Sequence, residues 1–350
     1  MKKYIPGLLL LSALTGSLTP VTTMAVSGQP DVTILATGGT IAGSSVSKTD
    51  TTDYKAGSLG INSLIKAAPE LTRIANVSGE QISNVISGDI GDDIRLSLSR
   101  RVNQLLSKEG QQGVVITHGT DTLEESAFFL DLTVKSDHPV VLVGAMRPAT
   151  AISADGPMNL LEAVTLAADK RAEKRGVLVV LNDRIGSAFY TTKTNATTLD
   201  TFKAVEPGYL GVFISGKPKF YYTPARATDR DFFDVSNIKK LPDVEILYAY
   251  SGQTPDILYS IVNSGAKGVV IAGNGNGNVS SEMEAAIRKL SEKRFPVVMS
   301  TRTGSGYVSS KSFAISSGFL NAQKSRILLQ LALATGADTG KIAEYFDHQR

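Results

Sequence analysis

The sequence predicts an α/β protein with a large N-terminal domain, built on a doubly wound, mostly parallel sheet, and a smaller C-terminal α/β domain. Three observations predict this class. The chain has 350 residues, which is enough for two domains. Apolar strand-like runs alternate with segments of helical periodicity. The turns after strands are rich in Gly, Thr, Ser and Asp, as expected for a site at the carboxyl edge of a parallel sheet.

The first 25 residues have the composition of a signal peptide. A basic start, Met1–Lys3, precedes an apolar stretch around Leu8–Leu11, and small residues allow cleavage after Ala25. The apolar stretch is too short and too interrupted to span a bilayer. We therefore expect a periplasmic or secreted protein that makes no membrane contact and begins near Val26.

Residues 26–222 form the predicted N-terminal domain. Its predicted strands are Asp31–Ala36, Arg73–Val77, Gln81–Ile86, Gly113–Thr117, Val140–Val143 and Val177–Leu181. Its predicted helices are Leu59–Ala68, a helix that follows Asp92, Leu123–Val134 and Met158–Asp169. From Ser187 to Thr223 the alternation becomes irregular.

Residues 223–238 are charged, contain proline and lack a periodic pattern, so they form the predicted linker. Residues 239–350 then form the predicted C-terminal domain. Its strands are predicted at Val244–Ala249, Gly268–Ala272 and Val297–Ser300. Its helices are predicted from Pro255, from Ser281, at Asn321–Ala334 and at Thr339–Phe346.

The composition excludes several classes of function. The net charge is +3, and the Lys and Arg residues are scattered, so we expect no nucleic-acid partner. The absence of cysteine excludes thiol catalysis, disulfides and Cys-ligated metal. Three histidines without an H-E-x-x-H pattern argue against a zinc site. No G-x-S-x-G pattern is present, which argues against the serine of an α/β-hydrolase.

Two glycine- and threonine-rich turns follow predicted strands. The first is Thr37–Thr40, and the second is His118–Thr122. Each alone is more simply explained as a tight turn before a helix, with the glycines present for their backbone dihedrals. A polar loop after the first turn carries Tyr54, which either packs its ring or closes over a site as a lid. We expect His118 to order its turn by hydrogen bonding rather than to act as a base.

Taken together, several motifs in this order resemble the bacterial type II L-asparaginases. The resemblance covers essentially the whole mature chain. It is carried by Thr37–Thr40, His118–Thr122, Ala145–Pro148, Ser153–Pro157, Thr192–Asn195 and Asn321–Leu333.

The resemblance implies hydrolysis of L-asparagine to L-aspartate and ammonia, with L-glutaminase side activity, and no metal or organic cofactor. It also implies a homotetramer built from intimate dimers, with each active site at an intimate-dimer interface.

The resemblance also implies a role for each catalytic residue. Because cysteine and an elbow serine are absent, a threonine hydroxyl is the available nucleophile. Thr40 would attack the carboxamide, and Tyr54 would activate it. Thr120, Lys193 and Asp121 would form a proton relay. The order of events between the two threonines stays open. Without the matching motif Thr192–Asn195, Lys193 would be assigned as a surface lysine.

The expected substrate-binding residues are Gly39, Ser87, Gly88, Asp89, Thr120, Asp121 and Asn278. Glycine N–H groups around Gly39 and Thr120 would bind the oxyanion, and Ser87 and Asp121 would hold the substrate's α-carboxylate and α-ammonium. In the family, the asparagine at the position of Asn278 completes the neighbouring subunit's site. Each of these also has a structural alternative: Ser87 as a turn residue, Asp121 as a helix cap, and Asn278 as a left-handed turn residue.

Two positions depart from the family pattern. Gly88 stands where the family usually has Gln or Glu, and Tyr307–Phe313 contains no carboxylate where the partner subunit's Glu is expected. Both groups contact the substrate's ammonium, so their loss predicts weaker substrate binding and an altered Asn/Gln preference. Two alternatives stay open. A periplasmic amino-acid-binding protein would also have a signal peptide, two α/β domains and a cleft, and the missing contacts allow a catalytically weakened asparaginase homologue.

Overall fold

The structure, a computed structural model, describes residues 28–224 and 231–348. The predicted signal peptide, residues 1–25, lies outside the described residues, as do residues 225–230 of the predicted linker. The described strands are β1 (Asp31–Gly38), β2 (Asn76–Val85), β3 (Gln111–Thr117), β4 (Val140–Val143), β5 (Val177–Leu181), β6 (Arg184–Ser187), β7 (Thr192–Lys193), β8 (Phe202–Lys203), β9 (Gly211–Ile214), β10 (Lys217–Phe220), β11 (Val244–Tyr248), β12 (Gly268–Gly273), β13 (Val297–Thr301) and β14 (Ile315–Ser316). The described α-helices are α1 (Ile61–Ala67), α2 (Asp92–Leu106), α3 (Leu123–Thr133), α4 (Gly156–Ala167), α5 (Asp256–Asn263), α6 (Ser281–Glu292), α7 (Ala322–Ala334) and α8 (Thr339–His348).

The large sheet has the strand order β10-β9-β6-β5-β4-β3-β1-β2 within the described residues. Strands β2, β1, β3, β4 and β5 run parallel to one another. Strands β6, β9 and β10 extend the sheet with antiparallel pairings. The predicted fold class, with its mostly parallel sheet, is confirmed. The antiparallel extension lies where the sequence pattern becomes irregular and was not predicted.

The smaller sheet has the parallel order β11-β12-β13-β14. Its strands lie between residues 244 and 316. Outside both sheets, β7 and β8 form a two-residue antiparallel pair. The division of the chain at residues 223–238 stays a prediction.

One strand differs from the prediction at its centre. Residues 73–77 and 81–86 were expected to form two short strands, but Asn76–Val85 is continuous. The expected break falls at Gly79, which pairs with Ile34 of β1. A Cβ atom at Gly79 would lie 2.5 Å from the side chain of Ile61, so glycine there makes room for α1 rather than ending the strand.

Apolar side chains fill both faces of the large sheet. One buried cluster lies under α2 and α3 and continues into α7 and α8 of the smaller domain; it includes Leu35, Ile116, Phe128, Leu328 and Phe346. A second cluster lies under α1 and α4 and includes Ile34, Leu64, Val115 and Leu160. The two sheet units therefore share one continuous core. Among the described helices, none is long and apolar enough to cross a membrane.

The strand order reverses around β1. The chain leaves β1 for β2 on one side of the sheet and then crosses to β3 on the other. In open α/β sheets this switch point is where the turns after the strands separate and a ligand crevice forms. The turns that begin after Gly38, Val85 and Thr117 therefore lie side by side at the carboxyl edge.

Candidate active site

Three turns pack directly against one another at this edge. Gly39 follows β1 with φ of 78°, a conformation that glycine adopts at little cost. A Cβ atom at Gly39 would lie 2.3 Å from the Cα of Gly119, which follows β3. A Cβ atom at Gly119 would lie 2.8 Å from the Cβ of Ser87, which follows β2. Glycine at these two positions therefore allows the three turns to converge.

Thr40 begins a short 3-10 helix after the first turn and is 6% exposed. Its Oγ1 lies 2.6 Å from the hydroxyl oxygen of Tyr54, which is hydrogen-bonding distance. The loop that carries Tyr54 returns to the sheet edge through a two-bond pairing of Ser44 with Lys55. The tyrosine is thus held in contact with the threonine that the sequence singles out.

Lys193 contacts the other two residues of the predicted relay. Its ammonium donates to Thr120 Oγ1 at 3.0 Å and to Asp121 Oδ1 at 2.5 Å. The side chain of Lys193 is 14% exposed, whereas that of Asp121 is 77% exposed. The structure therefore brings together the threonine, the lysine and the carboxylate of the predicted relay, with the carboxylate on the open side.

The expectation that Asp121 caps the following helix is wrong. Helix α3 begins at Leu123 after Thr122, and no side chain caps it. The Thr122 hydroxyl instead donates to the backbone carbonyl of Ser87 at 2.7 Å, which ties the turn after β3 to the turn after β2. Asp121 is consequently left to pair with Lys193. The role of Thr122 was missed because it depends on a contact between distant segments.

His118 orders its turn, as expected. It is fully buried, and its Nδ1 and Nε2 lie 2.7 Å from the Gly119 carbonyl oxygen and 2.8 Å from Ser126 Oγ. Burial lowers the pKa of His118 to about 4, with a smaller contribution from the charge of Arg95. The imidazole is therefore neutral at pH 7 and is suited to fixing the turn rather than to carrying charge.

Asp155 fixes a fourth turn, a role that sequence reasoning missed. Its carboxylate accepts the backbone N–H groups of Met146 at 2.9 Å and Arg147 at 3.0 Å. This turn follows β4 and starts at Gly144, where a Cβ atom would lie 3.0 Å from Thr120 Cγ2. Two of the motifs that carry the family resemblance, Ala145–Pro148 and Ser153–Pro157, thus form one rigid support beside Thr120.

Three expected substrate-binding residues lie in the turn after β2. Ser87 is 4% exposed and lies directly against Gly119. Gly88 and Asp89 are exposed, and a Cβ atom at Gly88 would meet nothing within 4 Å. The turn therefore has room for a longer side chain at position 88. The substrate-binding roles of Ser87, Gly88 and Asp89 stay predictions.

Asn278 lies in a glycine-rich turn of the smaller domain after β12. The alternative that it adopts a left-handed conformation is wrong, because the positive φ values fall on Gly275 and Gly277. Its Oδ1 accepts a hydrogen bond from Lys311 at 3.1 Å. The segment without a carboxylate therefore packs directly on this turn. The role of Asn278 in a neighbouring subunit's site stays a prediction.

The site at this edge contains two threonine hydroxyl groups, each within hydrogen-bonding distance of another polar side chain. Within the described residues, no group of three or more His, Asp or Glu side chains could hold a metal ion. Two buried threonine hydroxyls each contact one further polar side chain, a tyrosine in one case and a lysine in the other. A nucleophile next to such a partner is the arrangement used for covalent hydrolysis. The fold and site define an α/β protein of two sheet units with a pair of hydrogen-bonded threonine hydroxyls at the switch point of the large sheet, an arrangement compatible with a hydrolase.

Comparison with known proteins narrows this class. Residues 31–226 match the family model "Asparaginase, N-terminal", and residues 243–346 match "Glutaminase/Asparaginase C-terminal domain". The chain is 51% identical to L-asparaginase 2 of Bacillus subtilis, over 91% of this chain and 86% of that protein. It is 46% identical to a "Probable L-asparaginase periplasmic" of Haemophilus influenzae, over 91% of this chain and 93% of that protein.

A solved structure is similar over the same range. The crystal structure of a "Probable Cytoplasmic L-asparaginase" from Campylobacter jejuni matches with a TM-score of 0.88 and 45% identity, covering 91% of this chain and all of that one. The chain belongs to the asparaginase family.

Proposed function

We propose that this protein hydrolyses L-asparagine to L-aspartate and ammonia, with Thr40 as the nucleophile. The observation that carries the proposal is the pair of threonine contacts at one sheet edge: Thr40 with Tyr54 at 2.6 Å, and Thr120 with Lys193 at 3.0 Å. The names of the relatives support asparagine as the substrate. A solute-binding protein needs polar ligand contacts but no such pair of hydroxyl and proton-transfer groups.

In the first step, Thr40 Oγ1 forms a bond to the carboxamide carbon, and the C=O electron pair moves to oxygen. The hydroxyl proton leaves along the short hydrogen bond to Tyr54 and passes to the amide nitrogen. The C–N bond then breaks and releases ammonia, which leaves an aspartyl ester on Thr40. The neighbouring tyrosine supports this assignment, because a threonine hydroxyl needs a partner that takes its proton.

In the second step, a water molecule attacks the ester carbon. Thr120 Oγ1 takes the water's proton as its own hydroxyl proton passes to the departing Thr40 oxygen. The Lys193 ammonium, paired with Asp121, holds Thr120 in position and stabilises the negative charge that develops. The bond between Thr40 and the aspartyl group breaks, Thr40 regains a proton, and L-aspartate leaves. The 2.5 Å ion pair between Lys193 and Asp121 supports the assignment of Thr120, which Lys193 contacts, to this second step.

The oxyanion would be held by backbone N–H groups of the converging turns. The N–H of Gly39 donates to the carbonyl of Val85 at 2.9 Å, so Gly39 shapes the turn, and the neighbouring N–H groups of Thr40 and Thr120 would bind the oxyanion. Ser87 and Asp121 would hold the α-carboxylate and α-ammonium of the substrate, with Gly88 and Asp89 beside them.

The active unit would be a homotetramer whose sites lie at the intimate-dimer interface, with Asn278 contributed by the neighbouring subunit. The 77% exposure of the Asp121 side chain in a single chain supports a site that a second subunit covers. Tyr248 and Tyr250 of the smaller domain are 61% and 58% exposed, and tyrosine is enriched at protein interfaces. Light scattering would test the tetramer directly.

We place the enzyme in the periplasm or outside the cell, with residues 1–25 as its signal peptide and residues 223–238 as its linker. The periplasmic relative supports this location. L-glutaminase side activity is included in the proposal, and no cofactor is required by the chemistry described.

Ammonia release from L-asparagine and from L-glutamine tests the function, with Thr40→Ala as the matched variant. We expect release from L-asparagine by the wild type, slower release from L-glutamine, and none by Thr40→Ala. Binding of either amino acid without ammonia release by the wild type would contradict the proposal and favour a solute-binding protein.

A further inference from the structure

The helix that follows the smaller sheet begins with a residue that contacts both halves of the relay region. Asn321 precedes α7, and its Oδ1 accepts the backbone N–H of Lys324 at 3.0 Å, which caps the helix. Its side-chain nitrogen lies 3.3 Å from Glu124 Oε2 and 3.4 Å from Thr192 Oγ1. One amide of the smaller domain therefore reaches two separate segments of the large domain.

Those two segments are the ones that carry the relay residues. Glu124 lies in the first turn of α3, three residues after Asp121. Thr192 directly precedes Lys193 in β7. Asn321 thus holds the backbone next to the lysine at a fixed distance from the helix that follows the carboxylate.

Lys324 secures the same segment one turn further along α7. It is 2% exposed, and its Nζ donates to the carbonyl oxygens of Phe189 and Thr191, each at 2.7 Å. Hydrogen bonds from a charged donor are short and strong, and a buried charge requires such partners. The backbone immediately before β7 is therefore fixed by a cation from the other domain.

The contacts from α7 matter because β7 has few backbone hydrogen bonds of its own to stabilise it. It is two residues long, pairs with β8 alone among the described strands, and lies outside the large sheet. A short two-stranded hairpin is marginally stable by itself. Lys193 nevertheless has to reach Thr120 and Asp121 simultaneously, so its position depends on what holds the neighbouring backbone.

We infer that Asn321 and Lys324 are positioning residues: together they clamp the segment 189–192 and so hold Lys193 Nζ against Thr120 and Asp121. Their role rests on the proposed function, because it is expressed through the relay. The packing of α7 against the large domain therefore positions Lys193 in addition to burying apolar side chains.

The test compares three variants of the full chain by ammonia release and thermal unfolding. Asn321→Ser keeps an oxygen that caps α7 but loses the bridging amide. Lys324→Met removes the buried cation. Gln330→Met is the matched control: Gln330 is on the same helix, is fully buried, and donates to Asp92 and Pro242 of other segments.

We expect Asn321→Ser and Lys324→Met to lower kcat by roughly tenfold or more with KM changed less than about twofold, since displacing a catalytic group by about 1 Å costs up to ~10²-fold. Gln330→Met should lower Tm but leave kcat near that of the wild type. If Lys324→Met does not fold, Asn321→Ser carries the test.

Wild-type kcat in Asn321→Ser, or an equal loss of kcat in Gln330→Met, would overturn the positioning role. Absence of ammonia release by the wild type would overturn the proposed function instead, so the two failures are distinguishable.

Discussion

Gly39 and Gly119, eighty positions apart in the sequence, are in backbone contact: a Cβ atom at Gly39 would lie 2.3 Å from the Cα of Gly119. This contact joins the turn that carries Thr40 to the turn that carries Thr120. The two threonines can serve one substrate only because the parallel strands before them end side by side and both turns lack a side chain at the point of contact.

Gly39→Ala should therefore damage both activity and stability. The new methyl group would clash with the backbone of Gly119, and φ of 78° costs a non-glycine residue about 1–3 kcal/mol. We expect a lower Tm and a kcat reduced by roughly 10²-fold, since small displacements of a nucleophile have effects of this size. Ammonia release and thermal unfolding measure both.

Gly60→Ala is the control, because the nearest atom to its new Cβ is 3.8 Å away. It should retain wild-type activity. A Gly39→Ala enzyme as active and as stable as Gly60→Ala would show that the close contact between the turns of Gly39 and Gly119 is not required.

Tyr54→Phe removes the hydroxyl that contacts Thr40 but keeps the ring. We expect kcat to fall by roughly 10²-fold or more with little change in KM, since positioned proton transfer contributes effects of this size. Tyr222→Phe, which loses a hydroxyl bonded to the Pro207 carbonyl at 3.1 Å, is the control and should leave kcat unchanged. An equal fall in kcat in both variants would show that the Tyr54 hydroxyl has no specific role in the reaction.

Restoring the missing polar groups should strengthen substrate binding. Gly88 has open space around it, and Ser309 is exposed on the segment that packs against the turn of Asn278. The double variant Gly88→Glu, Ser309→Glu should lower KM for L-asparagine by roughly tenfold, since a hydrogen bond to a charged group is worth about 1.5–3 kcal/mol. Steady-state kinetics with both amides would show the change. Unchanged KM and an unchanged Asn/Gln ratio would mean that these positions do not contact the ammonium.

Glu162 predicts a pH dependence of stability. It is 2% exposed, and burial, followed by the hydrogen bond and charge of Asp183, raises its pKa from 4.5 to about 8. The folded state therefore holds a proton that the unfolded state has lost above pH 4.5. The stability from this group is complete below pH 4.5 and is lost as the pH rises towards 8.

Urea unfolding of wild type and Glu162→Gln between pH 6.5 and 8 tests this. The window lies above the ordinary pKa of His118, 6.5, so that group adds little. The free energy of unfolding should fall with pH in the wild type and fall less in Glu162→Gln. Glu109→Gln, at an exposed position, should follow the wild type. Parallel curves for wild type and Glu162→Gln would contradict the assignment.

Much of the fold was predictable from sequence because parallel strands leave a strong pattern. Each apolar run followed by a glycine-rich turn marks a carboxyl end, and those ends share one edge. Thr40 and Thr120 were therefore placed correctly relative to the sheet. Tyr54 and Lys193 came from the family resemblance, and their contacts with the two threonines agree with it.

The features that sequence did not reveal depend on distant partners. Gly79 looks like a strand end until α1 is packed over it. Asp121 looks like a helix cap until Lys193 is placed beside it. Asn321 and Lys324 look like an ordinary helix start, because their acceptors lie more than a hundred residues away in the chain. Local periodicity carries no information about such contacts.

The most direct test of the central claim is to identify the covalent intermediate. Enzyme quenched in acid during turnover of L-asparagine is digested, and its peptides are examined by mass spectrometry. The aspartyl group should appear on the peptide that contains Thr40, and should accumulate further in Lys193→Ala, in which hydrolysis of the ester is slowed. An aspartyl group on the peptide that contains Thr120, or turnover by Thr40→Ala at the wild-type rate, would contradict the assignment of Thr40 as the nucleophile.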